Sequence, residues 1–265
     1  MHTTTNGIST HSVVDTEGSG QWITLIHPLG ADLSMWNQVA GALAPHWQVL
    51  RYDVRGHGGT SSNTFRTIET LAEDLLGLLN ARDIRQTHLV GLGLGGMIAQ
   101  AFTLAYPQRV DHLVLCDTAP AVEEDTKSIL RHRADSVRHN GMGMIVDATL
   151  ARWLTADFRH HHPEAAEPLA DTLRACSPAR YADTCKAIEA FDVRVRLAEI
   201  VAPTLIVRGD EDGAPMEAVD SLATDIRQSE SLHMPGSHLA AIENPGVFVR
   251  ALSNFFLKKH PEDMR

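Results

Sequence analysis

Four short segments carry residues whose types and spacing could act on a carbonyl group. The run Gly91-Leu92-Gly93-Leu94-Gly95-Gly96 follows an apolar stretch and opens a helical pattern. A chain passing from strand to helix there must bend sharply, lifting its central residue above the sheet edge, and small neighbours let the turn close. This is the pattern of the nucleophile elbow G-x-S-x-G, except that the central residue is Gly93, so the bend is present without its oxygen. The same run also matches the dinucleotide fingerprint G-x-G-x-x-G. That fingerprint belongs to a first strand-helix unit with an acid about 20 residues on, whereas here at least two strands come earlier and Asp111 and Asp117 are not distinctively placed. The run His27-Pro28-Leu29-Gly30 follows the first strong apolar stretch. A loop at that point can give one backbone N–H of an oxyanion hole and the residue after the elbow the other, which makes Leu29 and Leu94 the candidate donors. Backbone donors do not depend on a serine side chain. Finally, Gly209-Asp210-Glu211-Asp212 and Gly236-Ser237-His238 each follow an apolar run. Asp212 in this order would orient His238 and stabilise its protonated form, with Asp210 as the alternative acid.

Two routes are chemically open to such a set. With a serine at position 93, the histidine would deprotonate it for attack on an ester or lactone. With Gly93, a water beside His238 becomes the nucleophile and the histidine its general base, an effect typically of about 10²–10⁴-fold. The same Asp–His pair could move protons on a substrate without hydrolysis, as a lyase or isomerase does, or the site could bind a ligand silently. A desolvated anionic substrate needs arginine forks. Arg131, Arg133, Arg138 and Arg152 are available, and Arg131 and Arg138, two turns apart on one helix, are the expected substrate-binding pair. Trp153 is a candidate for the pocket wall, packing being its plainer role. His160-His161-His162 reads as a solvated stretch before Pro163, since three adjacent histidines converge poorly on one ion. The loop Asp53–Gly58 reads as a structural turn. No metal site and no cofactor are expected.

The elements that must position these residues alternate. Strands are predicted at 22–27, 47–53, 87–92, 112–117, 203–208 and 229–234. Helices are predicted at about 35–43, 68–79, 95–106 and 245–256. This alternation predicts an α/β fold with a mostly parallel central sheet and helices on both faces. From about 121 to 196 no strand is convincing, and amphipathic segments such as 126–139 and 144–153 predict a helical insertion. The expected division is a core of residues 1–120 and 197–265 and a helical cap of residues 121–196, lying over the strand ends where open α/β sheets bind ligands. A chain of 265 residues with 43% apolar residues can bury a sizeable core. The formal charge of −10 comes with no basic stripe, so neither nucleic acid nor an anionic membrane is an expected partner. Three widely spaced cysteines, 116, 176 and 185, give no disulfide framework. With no apolar signal or spanning segment, a cytoplasmic protein acting on a small anionic molecule is expected, and homo-oligomerisation is left open.

The chain resembles the 3-oxoadipate enol-lactonases of the α/β-hydrolase superfamily. The resemblance runs over nearly the whole length. It includes the segments 27–36, 52–58, 90–96, 115–119, 137–142, 152–155, 181–185, 202–205 and 238–245. It implies the α/β-hydrolase fold, a helical cap, and a cofactor-free hydrolase opening a small carboxylated enol-lactone or ester in aromatic catabolism. The departure falls at Gly93, where the family carries serine. The chain is then either a serine-to-glycine inactivated form or a member that uses histidine-activated water.

Overall fold

A computed structural model describes residues 1–16, 20–60, 67–213 and 216–258, apart from the side chains of residues 216–220. Eight strands form one sheet: β1 (His2–Thr5), β2 (Ile8–Asp15), β3 (Trp22–Ile26), β4 (Gln48–Tyr52), β5 (Thr87–Leu92), β6 (Val110–Cys116), β7 (Thr204–Gly209) and β8 (Ser229–Met234). Their order across the sheet is β1-β2-β4-β3-β5-β6-β7-β8. β1 and β2 are antiparallel, as are β2 and β4, and all pairs from β4 to β8 are parallel. The six predicted strands are present. The hairpin β1–β2 is additional. Its Thr-, Ser- and His-rich alternation is that of an edge with one solvated face, a weaker signal than the apolar runs of the centre.

The helices are α1 (Asn37–Leu43), α2 (Ile68–Ala81), α3 (Leu94–Ala105), α4 (Glu124–Asn140), α5 (Val146–Trp153), α6 (Ala156–His161), α7 (Pro163–Ala175), α8 (Pro178–Ala190), α9 (Met216–Asp225), α10 (Ala240–Glu243) and α11 (Pro245–Phe256). β6 shows why both faces of the sheet are covered. Its consecutive residues Leu113, Val114, Leu115 and Cys116 are all buried and alternate between two apolar cores, as the period of two requires. One core contains residues of α2 and α3, and the other residues of α1 and α11. Five consecutive helices, α4 to α8, fall between β6 and β7. Among the described residues, no helix is long and apolar enough to cross a membrane.

The loop after β4 is held from beneath. Arg55 donates from Nε and Nη2 to the two carboxylate oxygens of Asp74 on α2, both at 2.6 Å, and both side chains are buried. Removing one partner of a buried ion pair leaves the other charge uncompensated, which costs about 3–5 kcal/mol. Asp74→Ala is therefore expected to lower unfolding stability by about that amount in urea titrations. Asp74→Leu combined with Arg55→Met should lose markedly less. Equal losses in the two proteins would show that the pair itself, not the buried charge left behind, carries the stability.

Candidate active site

β5 is buried along its whole length and runs directly into α3 through Gly93. Gly93 adopts φ +54 and ψ −112, a conformation that L side chains rarely adopt. Its N–H donates to the Cys116 carbonyl at 2.9 Å, and its own carbonyl accepts from Gly96 N at 3.0 Å and Thr118 Oγ1 at 2.8 Å. A Cβ on Gly95 would lie 2.2 Å from the carbonyl oxygen of Ile26, so the first turn of α3 packs on β3 only because that residue has no side chain. The bend expected of an elbow is therefore built. A Cβ on Gly93 would lie 3.1 Å from His238 Nε2 and 3.2 Å from Pro28 Cβ. The direction in which a side chain would leave the elbow is aimed at the imidazole.

His238 sits in the turn after β8, and Asp212 in the turn after β7. The Asp212 N–H donates to Gly209 O at 3.1 Å. The two side chains are buried and meet, with Asp212 Oδ2 3.4 Å from His238 Nδ1. The alternative acid, Asp210, is half exposed, 3.7 Å from His233, and does not face His238. Ser237 fixes the histidine turn to the helical segment. Its Oγ donates to the Arg152 carbonyl at 2.8 Å, and Leu239 N donates to Trp153 O at 2.8 Å. Burial lowers the His238 pKa, and the positive charge of Arg152 lowers it further, against the opposing bond to Asp212. The imidazole is thereby kept in the neutral form that a general base needs. For Asp212, burial acts to raise the pKa but is outweighed by the bond and charge of His238 and the charge of Arg152, so it is held below the usual carboxylate range.

Leu29 and Leu94 both line the cavity in front of Gly93. No acceptor within the described residues takes either N–H, which leaves both donors available to an oxyanion. The turn carrying Leu29 is oriented by His27. Its Nε2 accepts from Val54 N at 2.9 Å, so Nδ1 carries the proton and donates to Pro28 O at 2.8 Å.

The cavity has a volume of about 460 Å³. Its walls are mostly apolar, with Met97, Val122, Ile129, Leu130 and Ile188 among them. Two arginines break this wall, Arg133 and Arg152. Arg133 donates to Thr149 Oγ1 at 2.7 Å and lies 5.9 Å from the centre of the Tyr181 ring. Arg152 is an exposed residue that lines the cavity beside Arg133. Confinement and the neighbouring Arg133 both lower its pKa, although a guanidinium stays charged. Among the described residues neither arginine has an ion-pair partner.

The expected pair, Arg131 and Arg138, is placed elsewhere. Arg131 is bound to Glu124 at 2.9 Å and Glu189 at 2.6 Å, and Arg138 to Asp183 at 3.2 Å. Both face α8, and neither lines the cavity. The reason is helical geometry: Arg133, two residues beyond Arg131 on α4, points roughly 200° away around the axis. Trp153 does not line the cavity either. It is fully buried in the apolar core with Leu154 and Leu169, while its neighbour Arg152 takes the cavity side. His160 and His161 end α6, and His162 precedes α7, all three exposed.

One acid was not singled out from the sequence. Asp117, at the end of β6 with φ +42, is buried, lines the cavity and accepts from Gly209 N at 3.0 Å. Burial and the charge of Asp212 raise its pKa well above the ordinary value. Neighbouring carboxyl groups resist ionising together, and in this pair it is Asp117 whose pKa is pushed up and Asp212 whose pKa is held down. Only an acid directly after a central strand hinted at this, and that signal is common to many folds.

Known proteins share this fold. The model of the alpha/beta hydrolase fold family matches residues 21–245. The 3-oxoadipate enol-lactonase 1 of Acinetobacter baylyi is 30% identical over 236 residues, 88% of this chain and 87% of that protein. The crystal structure of an enol-lactonase from Burkholderia xenovorans LB400 superposes with a TM-score of 0.93 at 32% identity, covering 97% of this chain and all of that one. A thermophilic esterase from Thermogutta terrifontis follows at 0.87 and 28% identity, over 96% of this chain and 95% of the other. With the elbow after β5, the acid after β7, the histidine after β8 and a match of this extent, the chain belongs to the α/β-hydrolase fold family.

Proposed function

We propose that the protein is a cofactor-free hydrolase that opens a small carboxylated enol-lactone or ester of the kind met in aromatic catabolism, and that water takes the place of the serine oxygen. The observation that carries this reading is the meeting of two things in one cavity. An imidazole backed by Asp212 faces Gly93, and two arginines without ion-pair partners among the described residues face the same space. The names of the relatives, enol-lactonases and esterases, support the substrate class.

The steps follow from the geometry. Arg133 and Arg152 hold the substrate carboxylate. His238 Nε2 removes a proton from a water as its oxygen bonds to the lactone carbonyl carbon. The negative charge that develops on the carbonyl oxygen is met by the N–H groups of Leu29 and Leu94. Collapse of the tetrahedral species breaks the bond to the enol oxygen, and the proton on His238 goes to the leaving enolate, which tautomerises to a ketone. An enolate is a good leaving group, so the weaker nucleophile suffices.

His238→Ala is expected to lower kcat for enol-lactone opening by about 10²–10⁴-fold. Arg133→Gln and Arg152→Gln should raise KM about tenfold to hundredfold, from loss of a charged hydrogen bond to the carboxylate. Full hydrolysis by His238→Ala would refute the reading. Proton exchange from D₂O into a keto acid without ring opening would replace hydrolysis by lyase or isomerase chemistry.

The pH profile has a definite sign. A lowered His238 pKa means the base stays neutral below the ordinary histidine range, so the acidic limb of kcat/KM is expected below pH 6.5. Removing the positive charge in Arg152→Gln eases protonation of His238 and should move that limb to higher pH. A limb unmoved by this substitution would separate Arg152 from the base.

Gly93→Ser places a hydroxyl within reach of His238. It also forces an L residue into a strained conformation, at a cost of about 1–3 kcal/mol. The variant should be less stable in urea yet become labelled by fluorophosphonates, while the parent chain is not labelled at this site. Labelling of the parent chain in the cavity would reveal a different nucleophile.

A further inference from the structure

A second cluster of chemistry-bearing side chains lies at the opposite end of the sheet. His88 is the second residue of β5, about 16 Å along the strand from Gly93. On β6, Asp111 and His112 face it. They can do so because the pairing of these strands is irregular at this point: Thr87 pairs with Val110 but Leu89 pairs with Leu113. The extra residue on β6 is a bulge, which re-aims side chains, and it brings two consecutive residues to the one position of His88.

The spacing of the three groups is unusual. His88 Nδ1 lies 3.3 Å, and His112 Nδ1 3.4 Å, from the same oxygen, Asp111 Oδ2. The three ligand atoms lie within 4.8 Å of one another. The His88 contact is not a hydrogen bond, since the buried Nδ1 has no bonded partner. Gln21 explains why. Its Nε2 donates to Asp111 Oδ2 at 3.5 Å, which turns its carbonyl oxygen to His88 Nε2 at 3.4 Å. His88 therefore carries its proton on Nε2, and Nδ1 presents a lone pair to a carboxylate. Two electron-rich atoms at 3.3 Å repel unless a cation lies between them. Ligands bound to zinc at about 2.0–2.1 Å in tetrahedral geometry stand about 3.3 Å apart.

We propose that His88 Nδ1, His112 Nδ1 and Asp111 Oδ2 bind a divalent transition-metal ion of the zinc type. Two imidazoles and one carboxylate suit Zn²⁺, Co²⁺ or Ni²⁺, not Ca²⁺ or Mg²⁺, which take oxygen ligands. His88 has the outer-shell partner of a metal ligand. Gln21 accepts the second ring N–H of His88, fixing tautomer and ring. Phe256 stacks on His88 at 4.3 Å and 9°, with Trp47 edge-on at 5.2 Å, and Phe255 meets His112 edge-on at 5.2 Å. Asp111 is about a third exposed, which gives the ion an entry path and leaves its fourth position to water. The ion would bridge β5 and β6 beneath the end of α11. Far from Gly93, it takes no part in the hydrolysis, and the site stands whether or not that reading of the cavity holds.

The test is metal titration of the full-length, chelator-treated protein. Calorimetry with Zn²⁺ should give one equivalent per chain, and Co²⁺ should give the visible absorption of a tetrahedral complex. At about a hundredfold excess over Kd, Zn²⁺ should raise Tm by roughly 5 °C or more. Asp111→Asn, an isosteric change at a partly exposed position, should abolish the tetrahedral spectrum while circular dichroism confirms the fold. Gln21→Ala should weaken binding by about 10–100-fold. The exposed histidines are controlled by His160→Ala/His161→Ala/His162→Ala, which should keep the stoichiometric site. Binding that is lost in this triple variant but retained in Asp111→Asn overturns the proposal, as does an absence of Zn²⁺ and Co²⁺ binding in the parent chain.

Discussion

The cavity depends on a bend made within one residue. At Gly93 the chain leaves β5 and enters α3 with φ +54 and ψ −112. That conformation points the missing side chain at His238, places the Leu94 N–H at the start of a helix, and sets Gly95 against the backbone of β3. Bonds to Cys116 and from Thr118 tie the bend to β6 and the turn after it. With any L residue at this position the bend would be strained by about 1–3 kcal/mol. Glycine removes the strain and the attacking oxygen together. What remains is a relaxed elbow carrying the backbone donors, the base and the acid. That set can still polarise a carbonyl and take a proton, and in the proposed reaction water supplies the nucleophile.

Much of this was legible in the sequence, because the signals were local. Apolar runs of five to seven residues marked the central strands, and the glycines at 91, 93, 95 and 96 marked the elbow. Asp212 and His238 were legible from their order after two strands. The edge hairpin β1–β2 was not, since its half-solvated alternation resembles a polar terminus. The arginines show a sharper limit. All four were visible, but choosing among them needed the rotation of α4. Arg131 and Arg138 do share a face, and that face meets α8 and its carboxylates, while Arg133 faces the cavity. Trp153 turns into the core and Arg152 to the cavity for the same reason: adjacent residues on a helix point about 100° apart.

The cluster of His88, Asp111 and His112 was invisible for a different reason. Its members are 23 and 24 residues apart, and a regular parallel pairing would set Asp111 and His112 on opposite faces of the sheet. Only a bulge puts them together, and a bulge leaves no reliable mark in one sequence. The same two strands thus carry distinct groupings at their two ends. The carboxyl ends hold Gly93, Asp117 and the approach to Asp212, where open α/β sheets concentrate their chemistry. The amino ends hold a nitrogen- and oxygen-bearing cluster walled by aromatic rings. Such rings give a low-dielectric shell in which a charge needs close partners.

The opposite shifts of Asp117 and Asp212 set the charge balance of the cavity. Arg133 and Arg152 bring two positive charges to a mostly apolar space, and His238 is kept neutral by burial and by Arg152. Were both Asp117 and Asp212 ionised, the two arginines would be fully offset and an anion would gain nothing by entering. Burial and the charge of Asp212 push the Asp117 pKa well up, which favours one carboxylate against two guanidiniums. Glu123 also lines the cavity, but its carboxylate is taken by Arg194 at 3.0 Å. The site therefore carries an excess of one positive charge within a chain whose formal charge is −10. Long-range attraction cannot gather anions to such a protein, so capture falls to short-range bonding inside the cavity. A ligand bearing a single carboxylate matches that excess, and with Asp117 shifted toward its neutral form the acid beside His238 remains ionised without cancelling Arg133 and Arg152.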